Sequence, residues 1–268
     1  GTDVLGRSLG VRVLTGGGIS LGIGLAAAGL SVLIGTLYGA IAGYAGGRVD
    51  AVMMRIVDIL YGLPYILLVV LLAVAVDAWV EESIANRVER VSGQRERWVE
   101  QQTGALPAPA DAAEVLRLQR EALDRFGSGE LSAGTLSFIN VVTLLVAIGG
   151  VSWLTMSRVI RGQVLSLKAQ PFVEAARAAG APTGRIFARH LLPNLLGPII
   201  VYATLTVPQA ILQESFLSFL GIGVKPPLPS WGNLAAEGLA ELNTYRSNWW
   251  LLVFPCVLLG STLLAMNF

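Results

Sequence analysis

The sequence predicts an all-α, polytopic transmembrane helical bundle, and three observations carry that expectation. Apolar residues make up 54% of the 268 residues and charged residues only 14%, where a soluble domain carries about 25% charged residues. Mean hydropathy is +0.65. The apolar residues are also gathered into runs long enough to cross a hydrocarbon layer of about 30 Å, which takes roughly 20 residues of helix.

Taken in order, five runs qualify: 18–44, 51–76, 138–156, 195–220 and 249–268. On the first, Ala27, Ser31, Gly35, Gly39 and Gly43 recur every four residues and share one helix face, where another backbone can come close. That face suits plain helix packing or a translocation path. Pro64 and Pro208 interrupt the second and fourth runs, and such bends are tolerated where protein or water satisfies the freed carbonyls. The last run is still apolar at its end, and the chain opens on Gly1-Thr2-Asp3 rather than Met. A sixth span, missing upstream, is therefore expected.

Loop charges orient the runs. Between the third and fourth, Arg158, Arg161, Lys168, Arg177, Arg185 and Arg189 face Glu174 alone. Such an excess marks a cytoplasmic segment. Alternation then puts 77–137 and 221–248 outside. The organisation expected is 1–76 with the first two spans, 77–137 as an external helical-hairpin insertion, and 138–268 as the core region with a cytoplasmic segment 158–193.

Ionisable groups inside spans are costly and mark candidate function. Arg55 and Asp58, three apart on one face, suit a pair at the interface. Glu214, nearer the outer end of the fourth run, suits a polar pathway, a cap or a contact with a partner. A phosphate loop needs Gly-Lys followed by Ser or Thr, and neither Lys168 nor Lys225 follows a glycine. One His and one Cys give no zinc spacing and no nucleophile-base set. No catalytic residue, cofactor or metal site is expected in this chain, nor a nucleic-acid partner.

The segment most open to interpretation runs from Glu174-Ala175-Ala176 through Gly180 to Leu192-Pro193. Residues 166–179 favour helix, with Phe172, Val173 and Ala176 on one apolar face. Gly180 supplies a left-handed terminator, and Pro182 suits the start of a second short helix with Ile186, Phe187 and Leu191 on a second apolar face. Its alanines suit the approach of a partner protein; an amphipathic helix lying on lipid suits the same pattern.

These residues resemble the permease subunits of bacterial ABC importers, in the dipeptide/oligopeptide (peptide/nickel) family and its C-type subunit. That family's motif reads Glu-Ala-Ala, three residues, Gly, nine residues, Ile, one residue, Leu-Pro. The match falls on Glu174, Ala175, Ala176, Gly180, Leu192 and Pro193, with His190 at the Ile position, a departure that resembles the peptide branch. Gly1 to Arg7, Gly43-Tyr44-Ala45-Gly46-Gly47 with Asp50, Met54-Arg55 and Asp58, then Ser218 to Val224, Pro226-Pro227 and Pro229-Ser230-Trp231-Gly232-Asn233 are also similar to family segments, in the family's order.

The resemblance implies a type I importer fold in the bacterial cytoplasmic (inner) membrane, working with a homologous second permease, two ATPase subunits and an external substrate-binding protein. ATP and Mg would be bound by the ATPases, and the Glu-Ala-Ala loop would seat in a groove of one of them. The implied substrates are di- or oligopeptides, with nickel complexes or peptide-like antibiotics as alternatives in the same family. A self-sufficient secondary transporter or a non-transporting scaffold remain as readings outside it.

One departure stands out. The segment 77–137, with 11 acidic residues and seven arginines, is longer than the family's usual connection. Val80, Ile84, Val88, Val91 and Trp98 form one stripe and Val115, Leu118, Ala122 and Phe126 a second. Leu106 to Pro109 suits the turn, Asp111 with Glu114 a capping box, and Gly127 the stop.

Overall fold

The computed structural model describes residues 1–105, 111–242 and 247–267. Among these the chain is helical, with two isolated β-bridges and no strand. Ten helices follow one another. They are α1 (Leu9–Ala45), α2 (Gly47–Tyr61), α3 (Tyr65–Gly104), α4 (Ala112–Phe126), α5 (Ala133–Leu167), α6 (Pro171–Ala178), α7 (Thr183–Ile186), α8 (Leu192–Phe219), α9 (Trp231–Ala240) and α10 (Trp250–Asn267). One turn of π-helix, Phe187–Leu191, joins α7 to α8. Four helical stretches are long and apolar enough to cross a membrane: α1, α5, Thr183–Phe219 and α10. The α2–α3 pair, bent by 93°, is the fifth if counted as one span.

Three sequence expectations change in detail. The second run is a broken span, because Pro64 disfavours helix at Leu63 and the chain turns at Gly62–Pro64 before α3 starts. The helix expected over 166–179 is split: α5 continues to Leu167, and α6 begins at Pro171, where a missing N–H costs nothing. The second short helix flows on into α8, so it is the first part of a 37-residue stretch. The Leu106 to Pro109 turn lies outside the described residues.

The chain divides into two compact units, 1–74 with 140–268, and 75–139. In the first, the small residues of α1 form the seam with α5. A Cβ on Gly35 would stand 2.5 Å from that of Met156, one on Gly43 would stand 2.9 Å from the Arg161 carbonyl oxygen, and one on Gly39 would collide with the Ser157 carbonyl. Ala27 and Ser31 are buried in the same seam. Packing, rather than a path, explains their spacing. Nearer the start of α1, Gly17 leaves room for the Trp231 ring, whose Nε1 donates to the Val13 carbonyl at 3.1 Å.

Polar contacts fix the ends of these helices. The Arg161 guanidinium grips Asp50 in a bidentate pair at 2.5 and 2.6 Å, joining α5 to α2. Lys168 Nζ donates to the Gly43 carbonyl at 2.8 Å, satisfying one of the last acceptors of α1. Asp58 pairs with Arg158 at 2.9 Å rather than with Arg55. The Arg158 guanidinium also stacks 4.0 Å from the centre of the Tyr61 ring. Helix periodicity carries no trace of a partner 100 residues away.

In the second unit, the first arm is the C-terminal part of α3 rather than a helix with its own start, and α4 is the other arm. Asp111 caps α4 by accepting the Glu114 N–H at 2.7 Å, and Gly127 ends it at φ +73. The residues of both expected stripes are half-buried, and Ala122 is fully buried. Trp98 meets Phe126 edge-on at 6.4 Å, with Arg125 5.9 Å over the Trp98 ring. The two arms thus cover one another.

Candidate functional site

The Glu-Ala-Ala segment is held by its apolar side and open on its polar side. Val173 is buried in a cluster with Ile160, Val164, Ile186, Leu191 and Leu195, against which Ala176 packs. Glu174, Ala175, Arg177, Ala178 and Ala179 are exposed. The alternation follows from an eight-residue helix with one face against the body. Gly180 then adopts φ +76, a backbone that a side chain disfavours. Its own surroundings are open, so backbone freedom, not space, is the requirement there. The Ala181 N–H returns to the Ala176 carbonyl at 3.1 Å, closing the turn.

Leu192 and Pro193 sit where the chain passes from the π turn into α8, and both are exposed. Pro193 has no N–H to give, and its ring crowds the carbonyl one turn back. The helix widens there: the Leu192 N–H reaches back five residues to the Phe187 carbonyl. Asn194 Nδ2 donates to the His190 carbonyl at 2.7 Å. The His190 ring stands 6.2 Å from that of Phe172, linking the π turn to α6. The motif residues therefore lie at the two ends of a folded unit, with Glu174, Ala175 and Gly180 on its exposed side.

Glu214 lies elsewhere and is fully buried. Its Oε1 accepts the Ser218 hydroxyl at 2.7 Å and its Oε2 that of Ser215 at 3.3 Å, and the hydroxyls of Ser20 and Ser230 also bond to it. Three of these serine oxygens in turn accept backbone N–H groups. Ser218 takes that of Val224 at 3.0 Å, Ser20 that of Trp231 at 3.2 Å, and Ser230 that of Asn233 at 3.3 Å. Each N–H occupies an oxygen lone pair and leaves the hydroxyl hydrogen for the carboxyl. Ser230 also caps α9. The arrangement fastens α1, α8, the turn after α8 and the start of α9 at one point. The sequence marked Glu214, and Ser218 and Ser230 within family-like segments, but not that these and Ser20 and Ser215 meet at one carboxyl, since they come from three separated segments.

Glycines allow that convergence. A Cβ on Gly232 would strike the Ser215 carbonyl, and one on Gly223 would strike Ser218. The two motif pieces read separately in the sequence, around Ser218–Val224 and Ser230–Asn233, are thus parts of one structure around one carboxyl.

A third charged cluster lies before α1. Asp3 accepts the N–H groups of Leu5 at 3.0 Å and Arg7 at 2.8 Å, the Arg7 guanidinium at 2.7 Å and the Arg12 guanidinium at 2.9 Å. Arg12 also holds Glu237 of α9 at 2.7 and 3.0 Å. Burial alone would raise the Asp3 carboxyl, but the donors on Arg7 and Leu5 and the nearby positive charge outweigh it and hold it below the ordinary range.

Over residues 35–268 the chain matches the family described as binding-protein-dependent transport system inner membrane component. It is 38% identical over 268 residues to the oligopeptide transport system permease protein OppC of Haemophilus influenzae, covering 100% of this chain and 66% of that protein. Against the dipeptide transport system permease protein DppC of Bacillus subtilis it is 39% identical over 267 residues, covering 100% and 64%. Against OppC of Escherichia coli K12 it is 40% identical over 268 residues, covering 100% and 68%. The chain spans about two thirds of the length of the curated relatives it matches.

Proposed function

The chain belongs to the family of inner-membrane components of binding-protein-dependent transport systems, and from that premise we propose that it is a non-catalytic permease subunit of an ATP-driven importer of di- or oligopeptides. It forms half of the translocation path, beside a homologous second permease. ATP and Mg are bound by two separate ATPase subunits, and an external binding protein delivers the peptide. The observation that carries this reading is the similarity, along the whole chain, to proteins named as oligopeptide and dipeptide permeases.

The Glu-Ala-Ala segment is the coupling element. In its support, α6 is anchored by Val173 while Glu174 and Ala175 are free to meet another protein. Small side chains there let a groove wall approach the helix backbone. Ala175, exposed, is the better probe of docking than Ala176, which packs inward. In the reconstituted complex, Ala175→Arg is expected to cut substrate-stimulated ATP hydrolysis at least tenfold while membrane insertion and association with the second permease persist. Gly180→Val, strained at φ +76, is expected to act in the same direction. Full stimulated hydrolysis with Ala175→Arg would remove the docking role.

A further inference from the structure

The first unit holds a groove of about 600 Å³ between the α2–α3 break, α5 and α8. Its polar lining comes from three places. Tyr65, the first residue of α3, projects from the break; Ser152 and Thr155 come from α5; Gln209 and Gln213 come from α8. On α8 the polar lining falls at 202, 206, 209 and 213, spacings of four, three and four that keep it on one face. Leucines, Met156 and Tyr61 complete the walls, and among the described residues no charged side chain lines the groove.

Within it, the Tyr65 hydroxyl donates to Gln213 Oε1 at 2.9 Å and shares a hydrogen bond with the Ser152 hydroxyl at 2.8 Å. Those bonds hold the Gln213 amide with its nitrogen unused. Among the described residues, the Gln209 amide and the Thr155 hydroxyl also have no hydrogen-bond partner in the chain. Open to the groove, these groups are free to pair with water or with a ligand. A carboxamide offers both a donor and an acceptor, the same pair that a peptide bond presents. The lining thus complements backbone amides, and its neutrality gives no reason to prefer a positive or a negative side chain.

We propose that this groove is the permease's contact surface for the substrate backbone, with Gln209 and Gln213 pairing with peptide amides and the absence of charge making passage indifferent to substrate side-chain charge. This deepens, and rests on, the peptide-importer reading. It also separates the roles of the polar residues of α8: the glutamines meet cargo, and Glu214 holds the frame.

The test introduces charge at the exposed Gln209 in opposite senses. The assembled transporter carrying Gln209→Glu or Gln209→Lys is reconstituted in proteoliposomes, and uptake of Ala-Lys-Ala is compared with that of Ala-Glu-Ala, both delivered by the same binding protein. Relative to wild type, Gln209→Glu is expected to raise the cationic-to-anionic uptake ratio about fivefold, and Gln209→Lys to lower it about as much. Intact uptake with no ratio shift in either variant overturns the site. Shifts in the same direction overturn it too, as does loss of the co-purifying second permease, which would mark the groove as a subunit interface. A wild-type complex that takes up neither peptide overturns the importer reading itself and the site with it. If neither charged variant accumulates in the membrane, Gln209→Ala is tested with a tripeptide methylated at its central amide nitrogen. The variant should discriminate against that peptide less than wild type does, and unchanged discrimination overturns the proposal.

Discussion

Two faces of α8 carry polar residues of opposite kinds. On one, Glu214, Ser215 and Ser218 are buried, and the carboxyl is matched by hydroxyls from α1, α8 and the α9 cap. On the other, Tyr202, Thr206, Gln209 and Gln213 are neutral and line an open groove. The group that could carry a charge is sealed inside, and the uncharged groups meet the opening. An ionisable residue in a span is by default suspected of function. Here its hydrogen-bond partners mark it as a fastening, and the vacant partners of the neutral residues mark the groove. What separates the two is satisfaction of hydrogen bonds, not polarity.

The largest expected effect comes from breaking the buried side. Glu214→Leu leaves several serine hydroxyls without their acceptor in a dry interior. Each such group costs about 1–3 kcal/mol, reduced where a serine can bond its own helix carbonyl instead. A net loss of about 3 kcal/mol is expected, read as a lowered thermal midpoint of the detergent-solubilised complex. Glu214→Gln, which keeps an acceptor oxygen, should lose less than half as much. Equal losses from both variants would show that the serine hydroxyls are not what Glu214 serves.

A second test compares that carboxyl with Asp3, which is matched by arginines and N–H donors instead of hydroxyls. Its folded carboxyl is held below its ordinary value, so it binds its proton less readily in the folded state than in the unfolded one. Its stabilising contribution is therefore fully present above the unfolded carboxyl's range and is lost as pH falls through the folded one. Asp3→Asn should be less stable than wild type at neutral pH, and the gap should close in acid. A gap that stays constant from pH 7 down to acid would assign the loss to packing instead of charge.

The smallest expected stability effect is at the groove. Gln209→Leu removes an exposed amide with no partner in the chain and should change stability by no more than about 0.5 kcal/mol, read as a nearly unchanged thermal midpoint. A cost as large as that of Glu214→Leu would erase the distinction between the two faces of α8.

Local features were legible before the fold was seen. Asp111 and Gly127 bracket α4 because a cap and a left-handed stop act within a few residues. Gly180 ends its turn at positive φ for the same reason. The four-residue spacing of Ala27 to Gly43 marked a close helix contact, and that spacing is a property of helix geometry alone. The hairpin stripes were legible in the same way. The Pro64 interruption was visible, but its outcome, two helices at 93°, was not. A proline disfavours continuation without specifying where the chain goes next.

The sequence by itself determined the membrane class, the helices, the caps and the resemblance that the family match bears out. All of these depend on composition or on residues within a turn or two of each other. Tertiary structure alone decided which polar groups meet. Asp58 finds Arg158, not Arg55, Glu214 finds Ser20 and Ser230, and Tyr65 joins Ser152 to Gln213. Each contact joins segments far apart in the chain, and hydrogen bonding acts over about 3 Å in space, without regard to separation along the backbone. A spacing rule can place a residue on a face, but only the packed helices supply what that face touches.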